Sequence, residues 1–189
     1  IQYRLLNEYN ASCRWEPVSL TAPYDMWEQQ GLVTVTGGEG DYKNDYKFIA
    51  RHLKELRDEY GLSFEAVGYD NHNADGFLSD LEELGCPLLE VRQSAKNLND
   101  ATMDVKLLVK GAKYRYDRSN ELMSWSFANA KLVYNSFGEC KVDKNYGPTK
   151  RIDPVDACID AHYARMKLAD EADVDAEQAM TDYLAEMGW

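Results

Sequence analysis

A chain of 189 residues fits one domain, or one domain with an appendage, and is long enough to bury a real core. Its 21 Lys and Arg against 33 Asp and Glu leave a formal charge of −12, which taken alone argues against a nucleic-acid binder. No stretch approaches about 18 uninterrupted apolar residues and "IQYRLLNEYN" lacks a signal-peptide pattern, so a soluble, intracellular protein away from membranes is expected.

"LVTVT", residues 32–36, alternates and is β-branched, so it reads as a strand that "GGEGDYK" then breaks. From Asn44 to Tyr60, Phe48, Ile49, Leu53 and Leu56 recur at helical spacing and Gly61 supplies the stop. "LSFEAVGYD" reads as a second strand ending on Asp70. Asn73 is a candidate cap for the next helix, which turns Phe77, Leu78, Leu81 and Leu84 to the core and stops at Gly85. "PLLEV", residues 87–91, has the short apolar character of a buried strand. Strand, helix, strand, helix, strand implies βαβ units and an α/β sheet. A helix follows from about Asn99 to Lys110, then a short strand at "KYRY" (113–116) and a helix at "NELMSWSFANA". "KLVYNS" and "ECKVDK", separated by "FG", read as a polar hairpin. A last core helix starts within "TKRIDPVDACIDAHYARMK", and "DVDAEQAMTDYLAEMGW" is an acidic terminal helix. The chain thus divides into a domain over 1–169 and an acidic helix or tail over 170–189.

Charge is unevenly distributed. Between Arg92 and Arg151, 12 Lys and Arg face 6 Asp and Glu, a net of +6, which leaves −18 on the other 129 residues. A basic middle flanked by acidic ends can hold a polyanion while the rest of the surface repels it; a merely uneven surface is the alternative.

Cys13, Cys86, Cys140 and Cys158 are far apart and form no C-x-x-C pair, so neither a zinc site nor a disulfide framework is indicated, and reduced, mostly buried thiols are expected. His52, His72 and His162 lack zinc spacing; His52 and His162 read as structural and His72 as a turn residue. "GGEGDYK" carries two acids and lacks G-x-x-x-x-G-K-[ST], so it is no phosphate cradle, and there is no G-x-S-x-G. The carboxylates are more informative. In "RIDPVDACID", Asp153, Asp156 and Asp160 fall on one side of a helix, and Asp153 before Pro154 is also a good cap. Asp70 sits where a strand ends, a usual place for functional groups in open α/β sheets and also for turn aspartates. Carboxylates from a strand end and a helix start can converge on Mg²⁺, which takes one or two of them plus waters and phosphate oxygens. Asp156 and Asp160 read either as outer-shell groups near such a metal, Asp156 the better placed, or as solvated helix residues; the second explanation suffices, and both are left out of the site.

In order, "APYDMWEQQGLVTVTGG", "VGYDNHNADGFLSDLEELG", "EVRQSAKNLNDATMDVKLLVKGAKY", "SWSFANAKLV" and "KRIDPVDACIDA" resemble the C-terminal nuclease domain of tailed-phage large terminases, over roughly Tyr24 to Lys167. That resemblance implies an α/β, RNase H-like (RuvC-like) mixed sheet flanked by helices. It implies a domain that binds Mg²⁺ or Mn²⁺ and cuts concatemeric double-stranded viral DNA, with Asp70 and Asp153 as metal-ligating catalytic residues. Family partners would be the terminase ATPase domain, the small terminase subunit and the portal, and the place of action the host cytoplasm at the procapsid. Such domains open with a strand bearing a first catalytic aspartate, and this chain is expected to begin after it. On the same reading Arg92, Gln93, Lys96, Lys106, Lys110 and Lys113 are candidate DNA contacts. Gln93 and Lys96 are placed nearest the cleft because "EVRQ" should end on the same sheet edge as Asp70. A catalytically silent DNA-gripping module, or another RNase H-like nuclease such as a junction resolvase, are the competing expectations.

Overall fold

The computed structural model describes residues 22–36, 45–71, 74–117, 119–144 and 151–186. Cys13, the glycine-rich segment 37–43, His72 and the expected cap Asn73 lie outside them. The elements in chain order are α1 (Tyr24–Gln29), α2 (Tyr46–Tyr60), β1 (Val67–Tyr69), α3 (Asp75–Glu82), β2 (Leu88–Glu90), α4 (Ala95–Lys110), α5 (Glu121–Asn129), β3 (Ala130–Tyr134), β4 (Cys140–Lys144) and α6 (Asp153–Glu186).

Local chemistry sets most of these boundaries. The Asp45 side chain accepts from Phe48 N at 3.0 Å to start α2, and Gly61 ends it with a left-handed φ of 61°. Asn120 caps α5 in the same way, through Met123 N at 2.9 Å. β1, α3 and β2 form the expected βαβ unit. Its strands pair in parallel, Val67 opposite Leu88 and Tyr69 opposite Glu90, so both finish at one edge. β3 and β4 are the expected hairpin, with Ala130 opposite Lys144 and Tyr134 opposite Cys140. Among the described residues the strands form these two separate two-stranded ladders, one parallel and one antiparallel.

Three sequence expectations are corrected. Residues 32–36 form no strand: Val33 and Thr36 are buried, but among the described residues no partner ladder pairs with them. Alternating β-branched residues report a half-buried extended chain, and a strand needs a hydrogen-bonding neighbour as well. "KYRY" likewise forms no strand; Tyr114 and Tyr116 instead pack on Phe127, with ring centroids 5.5 and 5.7 Å away. The third helix expected in this region begins at Ala95 rather than about Asn99, because Ser94 Oγ accepts from Asn97 N at 3.2 Å and caps it.

Two clusters form the core. One gathers Tyr24, Trp27, Val33, Ile49 and Leu122, with Trp27 edge-on to both Tyr24 and Trp125. The other joins Val91, Leu98, Ala101, Val105, Met123, Val155 and Ile159, tying the end of β2 and helices α4 and α5 to α6. Full burial of each aliphatic side chain contributes roughly 1.5–3 kcal/mol, so this second cluster is what fixes α6 in place.

The acidic side of α6 is the largest departure. The helix runs unbroken for 34 residues, and from 169 to 182 its described side chains are exposed, as an acidic tail should be. Its first turns are different: Asp153 is 1% and Asp160 7% exposed, with only Asp156 in an intermediate position. These turns are enclosed on both sides. Val155 and Ile159 face α4 and α5, while the α6 backbone at Asp160 lies against Gly68 of β1 and the Asp160 side chain against Gln93. The expectation of a solvated Asp160 is therefore overturned. Among the described residues no helix is long and apolar enough to cross a membrane.

Candidate active site

The placement of Asp70 and Asp153 follows from one close approach. A Cβ added to Gly68 would lie 2.9 Å from the Asp160 carbonyl oxygen and 3.1 Å from Val91 Cγ2, so α6 crosses β1 at a position that has room only for glycine. Upstream, Ser63 and Ala66 share a groove with Ala164 and Leu168. Moving back along the chain from Gly68 thus moves forward along α6, and the two elements run antiparallel. Continuing from Gly68 to Asp70 leads toward the start of α6. Strand alternation gives Asp70 the same face as Gly68, the one α6 covers. Asp153 precedes Asp160 by seven residues, two turns and about 10 Å, and differs from it by only about 20° around the helix. The antiparallel direction therefore points the start of α6 toward the end of β1.

The start of α6 is held by α5. Ile152 O accepts from Val155 N at 2.9 Å and Asp156 N at 3.0 Å, and Ser126 Oγ, fully buried on α5, accepts from Val155 N at 3.1 Å. By these bonds the cap position belongs to Ile152, and Asp153 lies inside the first turn, one place later than the capping pattern suggests. Its carboxylate is near the positive end of the helix dipole. Burying a carboxylate costs several kcal/mol unless charge or hydrogen bonding offsets it, which is why such a group marks a site as well as a fold.

The sequence leaves Asp160 outside the site, as an outer-shell or solvated helix residue, although its spacing from Asp153 is visible. Gln93 Nε2 donates to Asp160 Oδ1 at 3.0 Å and Oδ2 at 3.2 Å, and to Val91 O at 3.3 Å. Lys141 Nζ of β4 donates to Gln93 O at 3.0 Å, and Tyr163 OH of α6 donates to Asn97 Oδ1 at 3.1 Å. The turn between β2 and α4 is therefore tied to the hairpin and to α6. Gln93 stands at the expected edge, but its amide NH₂ is turned inward.

Among the described residues no three His, Cys, Asp or Glu side chains gather as a ready-made metal cage. Two carboxylates at a strand end and a helix start suit a hard cation that keeps several waters, as Mg²⁺ does and Mn²⁺ tolerates. His162 is engaged elsewhere, with Nε2 2.6 Å from Asp104 Oδ2 on α4, which fits its structural reading.

The basic candidates line α4. Lys96, Lys106 and Lys110 fall within an arc of about 80° opposite the buried Leu98, Ala101 and Val105, and Lys96 to Lys110 spans about 21 Å. Lys96 and Lys110 are exposed and Lys106 is half-buried, its Nζ 3.9 Å from Met103 Sδ; exposed Asp100 shares this side. Lys113 follows in the exposed turn. Arg92 is exposed in the β2–α4 turn, with Nε 3.6 Å from Glu90 Oε1.

Residues 20–168 match the sequence signature of the family described as "Terminase large subunit, endonuclease domain". The large terminase subunit of Enterobacteria phage HK97 is 28% identical over 134 residues, which cover 70% of this chain and 25% of that protein. The crystal structure of the HK97 bacteriophage large terminase superposes with a TM-score of 0.63 at 28% identity, over 76% of this chain and 29% of the other. The large terminase nuclease of thermophilic phage G20c is also similar, at 15% identity and a TM-score of 0.46, over 64% of this chain and 62% of that one. The chain spans about a quarter of the length of the HK97 protein, and its fold class is the RNase H-like α/β architecture of these domains.

Proposed function

Since the chain belongs to the family of terminase large-subunit endonuclease domains, we propose that it hydrolyses phosphodiester bonds of double-stranded phage DNA during genome packaging. Asp70 and Asp153 are the carboxylates that would hold Mg²⁺ or Mn²⁺. The observation that supports this reading is the antiparallel seating of α6 on β1, which points the start of α6, with its nearly fully buried Asp153, toward the end of β1 that Asp70 follows.

A divalent ion, when bound, supplies polarisation of the scissile phosphate and activation of the attacking water. The chain's own groups do the rest. The helix turn that carries Asp153 is held by the bond from Val155 N to Ser126 Oγ and by the packing of Val155 and Ile159, so its backbone is in place before any ligand arrives. Asp70 is fixed by the last rung of the β1–β2 ladder, Val91 N to Tyr69 O at 2.7 Å. The lysines along α4, with Lys113 and Arg92, supply positive charge to a DNA backbone while the acidic remainder of the chain repels it. The ATPase domain, the small subunit and the portal are the partners this role requires.

Incubation with supercoiled plasmid and Mn²⁺ tests the reading. Nicking and linearisation are expected, falling by about 100-fold or more in Asp70→Asn and in Asp153→Asn. Cleavage that survives both substitutions would overturn the site. Retention of duplex DNA without cleavage would replace the endonuclease with a gripping module.

A further inference from the structure

The Gln93 amide is oriented by chemistry rather than by chance. Its Nε2 contacts are a carboxylate and a carbonyl, which are acceptors only, so the NH₂ end has to face them. One hydrogen serves Asp160 and the other Val91 O. The side chain's remaining polar atom is the carbonyl oxygen Oε1, which meets only donors or cations.

Its position is set by the ladder. Val67 N bonds Pro87 O, and Val91 N bonds Tyr69 O. The next rung of a parallel pair would use Val91 O, and that is the carbonyl on which Gln93 Nε2 sits. The amide therefore occupies the place just beyond the ends of β1 and β2, beside the level of Asp70. Asp160, its other anchor, lies on the stripe of α6 that carries Asp153. A phosphate offers Oε1 only like charge. Lys141 Nζ serves the Gln93 backbone carbonyl at this edge, a hydrated cation is a further electropositive group that Oε1 can meet, and a direct phosphate contact by Oε1 is disfavoured.

We propose that Gln93 Oε1 is a neutral oxygen donor to the hydrated divalent cation of the Asp70/Asp153 site, and that Asp160 is the positioning residue that fixes its amide. This rests on the two-carboxylate reading above. A hard cation accepts carbonyl oxygens beside carboxylates, so an amide oxygen suits the same ion. Asp160 does not touch the ion in this arrangement; it acts through Gln93.

The test is Mn²⁺ binding to the protein without DNA, by titration calorimetry and electron paramagnetic resonance, with thermal unfolding measured alongside. Gln93→Leu should weaken Mn²⁺ binding by about tenfold and also lower the unfolding midpoint, because it takes the amide donor from the buried Asp160 carboxylate. Asp160→Asn keeps an acceptor for Nε2 and should bind Mn²⁺ nearly normally, whereas Asp160→Leu should match Gln93→Leu. The double variant Gln93→Leu/Asp160→Leu should be no weaker than Gln93→Leu alone, since both act through one amide. If Asp160→Leu fails to fold, the contrast between Gln93→Leu and Asp160→Asn still decides. Unchanged Mn²⁺ affinity in Gln93→Leu, with loss in Asp70→Asn, would overturn this proposal and leave the two-carboxylate site standing. Binding indifferent to Asp70→Asn and Asp153→Asn, or no binding by the unmutated chain, would overturn both.

Discussion

The Asp160 carbonyl oxygen lies 2.9 Å from the point where a Cβ on Gly68 would sit. Both contacting groups are constrained, one being helix backbone and the other the Val91 side chain packed in the second core cluster. Gly68→Ala must push α6 away from β1, and overpacking of this kind costs about 1–3 kcal/mol. Cleavage should fall further than that loss explains, because the displaced helix carries Asp153. Urea unfolding and plasmid cleavage measured on the same preparation check this; a variant with unchanged activity would show that the spacing of α6 and β1 does not set the site.

Ser126 acts at the same helix from the other side. Ser126→Ala removes the Oγ acceptor from Val155 N, which keeps its 2.9 Å bond to Ile152 O, so the loss is that of one net hydrogen bond, about 0.5–1.5 kcal/mol. The expected result is a lower denaturant midpoint with an unchanged m-value, and weaker Mn²⁺ binding because the Asp153 turn loosens. Ser126→Thr, which keeps the hydroxyl, should recover part of both.

His162 and Asp104 join α6 to α4 at 2.6 Å, with the histidine side chain 12% exposed. A double-mutant cycle of His162→Ala and Asp104→Ala should give a coupling energy of about 1 kcal/mol in unfolding, more than an exposed pair supplies. Coupling indistinguishable from zero would reduce the contact to coincidence.

The lysines of α4 can be read from salt dependence. Lys96→Ala and Lys110→Ala should each weaken binding to a short duplex whatever its sequence, and each should lower the slope of log affinity against log salt by about 1. Fluorescence anisotropy from 50 to 200 mM salt gives that slope. Substitutions that leave it unchanged would remove α4 from the DNA path.

Burial pushes the thiols of Cys140 and Cys158 above the ordinary cysteine range. The thiolate is the reactive form, so both should resist iodoacetamide in the native protein at neutral pH and react in denaturant. Peptide mass spectrometry locates the label; rapid native modification of Cys140, which is 0% exposed, would contradict its place on β4.

Much of this architecture was legible in the residues themselves. Gly61 and Gly111 mark helix stops, while the helix expected to stop at Gly85 ends at Glu82; the βαβ unit follows from "LSFEAVGYD" and "PLLEV", and the hairpin from two short runs around "FG". What could not be read was anything decided by a neighbour. Residues 32–36 have strand composition but, among the described residues, no pairing partner. Asp160 has the spacing of a solvated stripe and is buried because a second element closes over that side of α6. Helical periodicity separates faces, but it does not say how many of them are covered. Element ends and resemblance point to Asp70 and Asp153 in the sequence, and their pairing in one site is part of the proposal.

The Gln93–Asp160 contact also bears on when the centre can exist. It joins positions 67 residues apart, and the entropy of closing so long a loop is recovered only when α6 docks. A chain emerging from the ribosome with α1 through β4 already folded holds Asp70 but neither Asp153 nor the carboxylate that orients Gln93. The proposed cutting chemistry is therefore absent from every shorter nascent chain and arises with the last core helix.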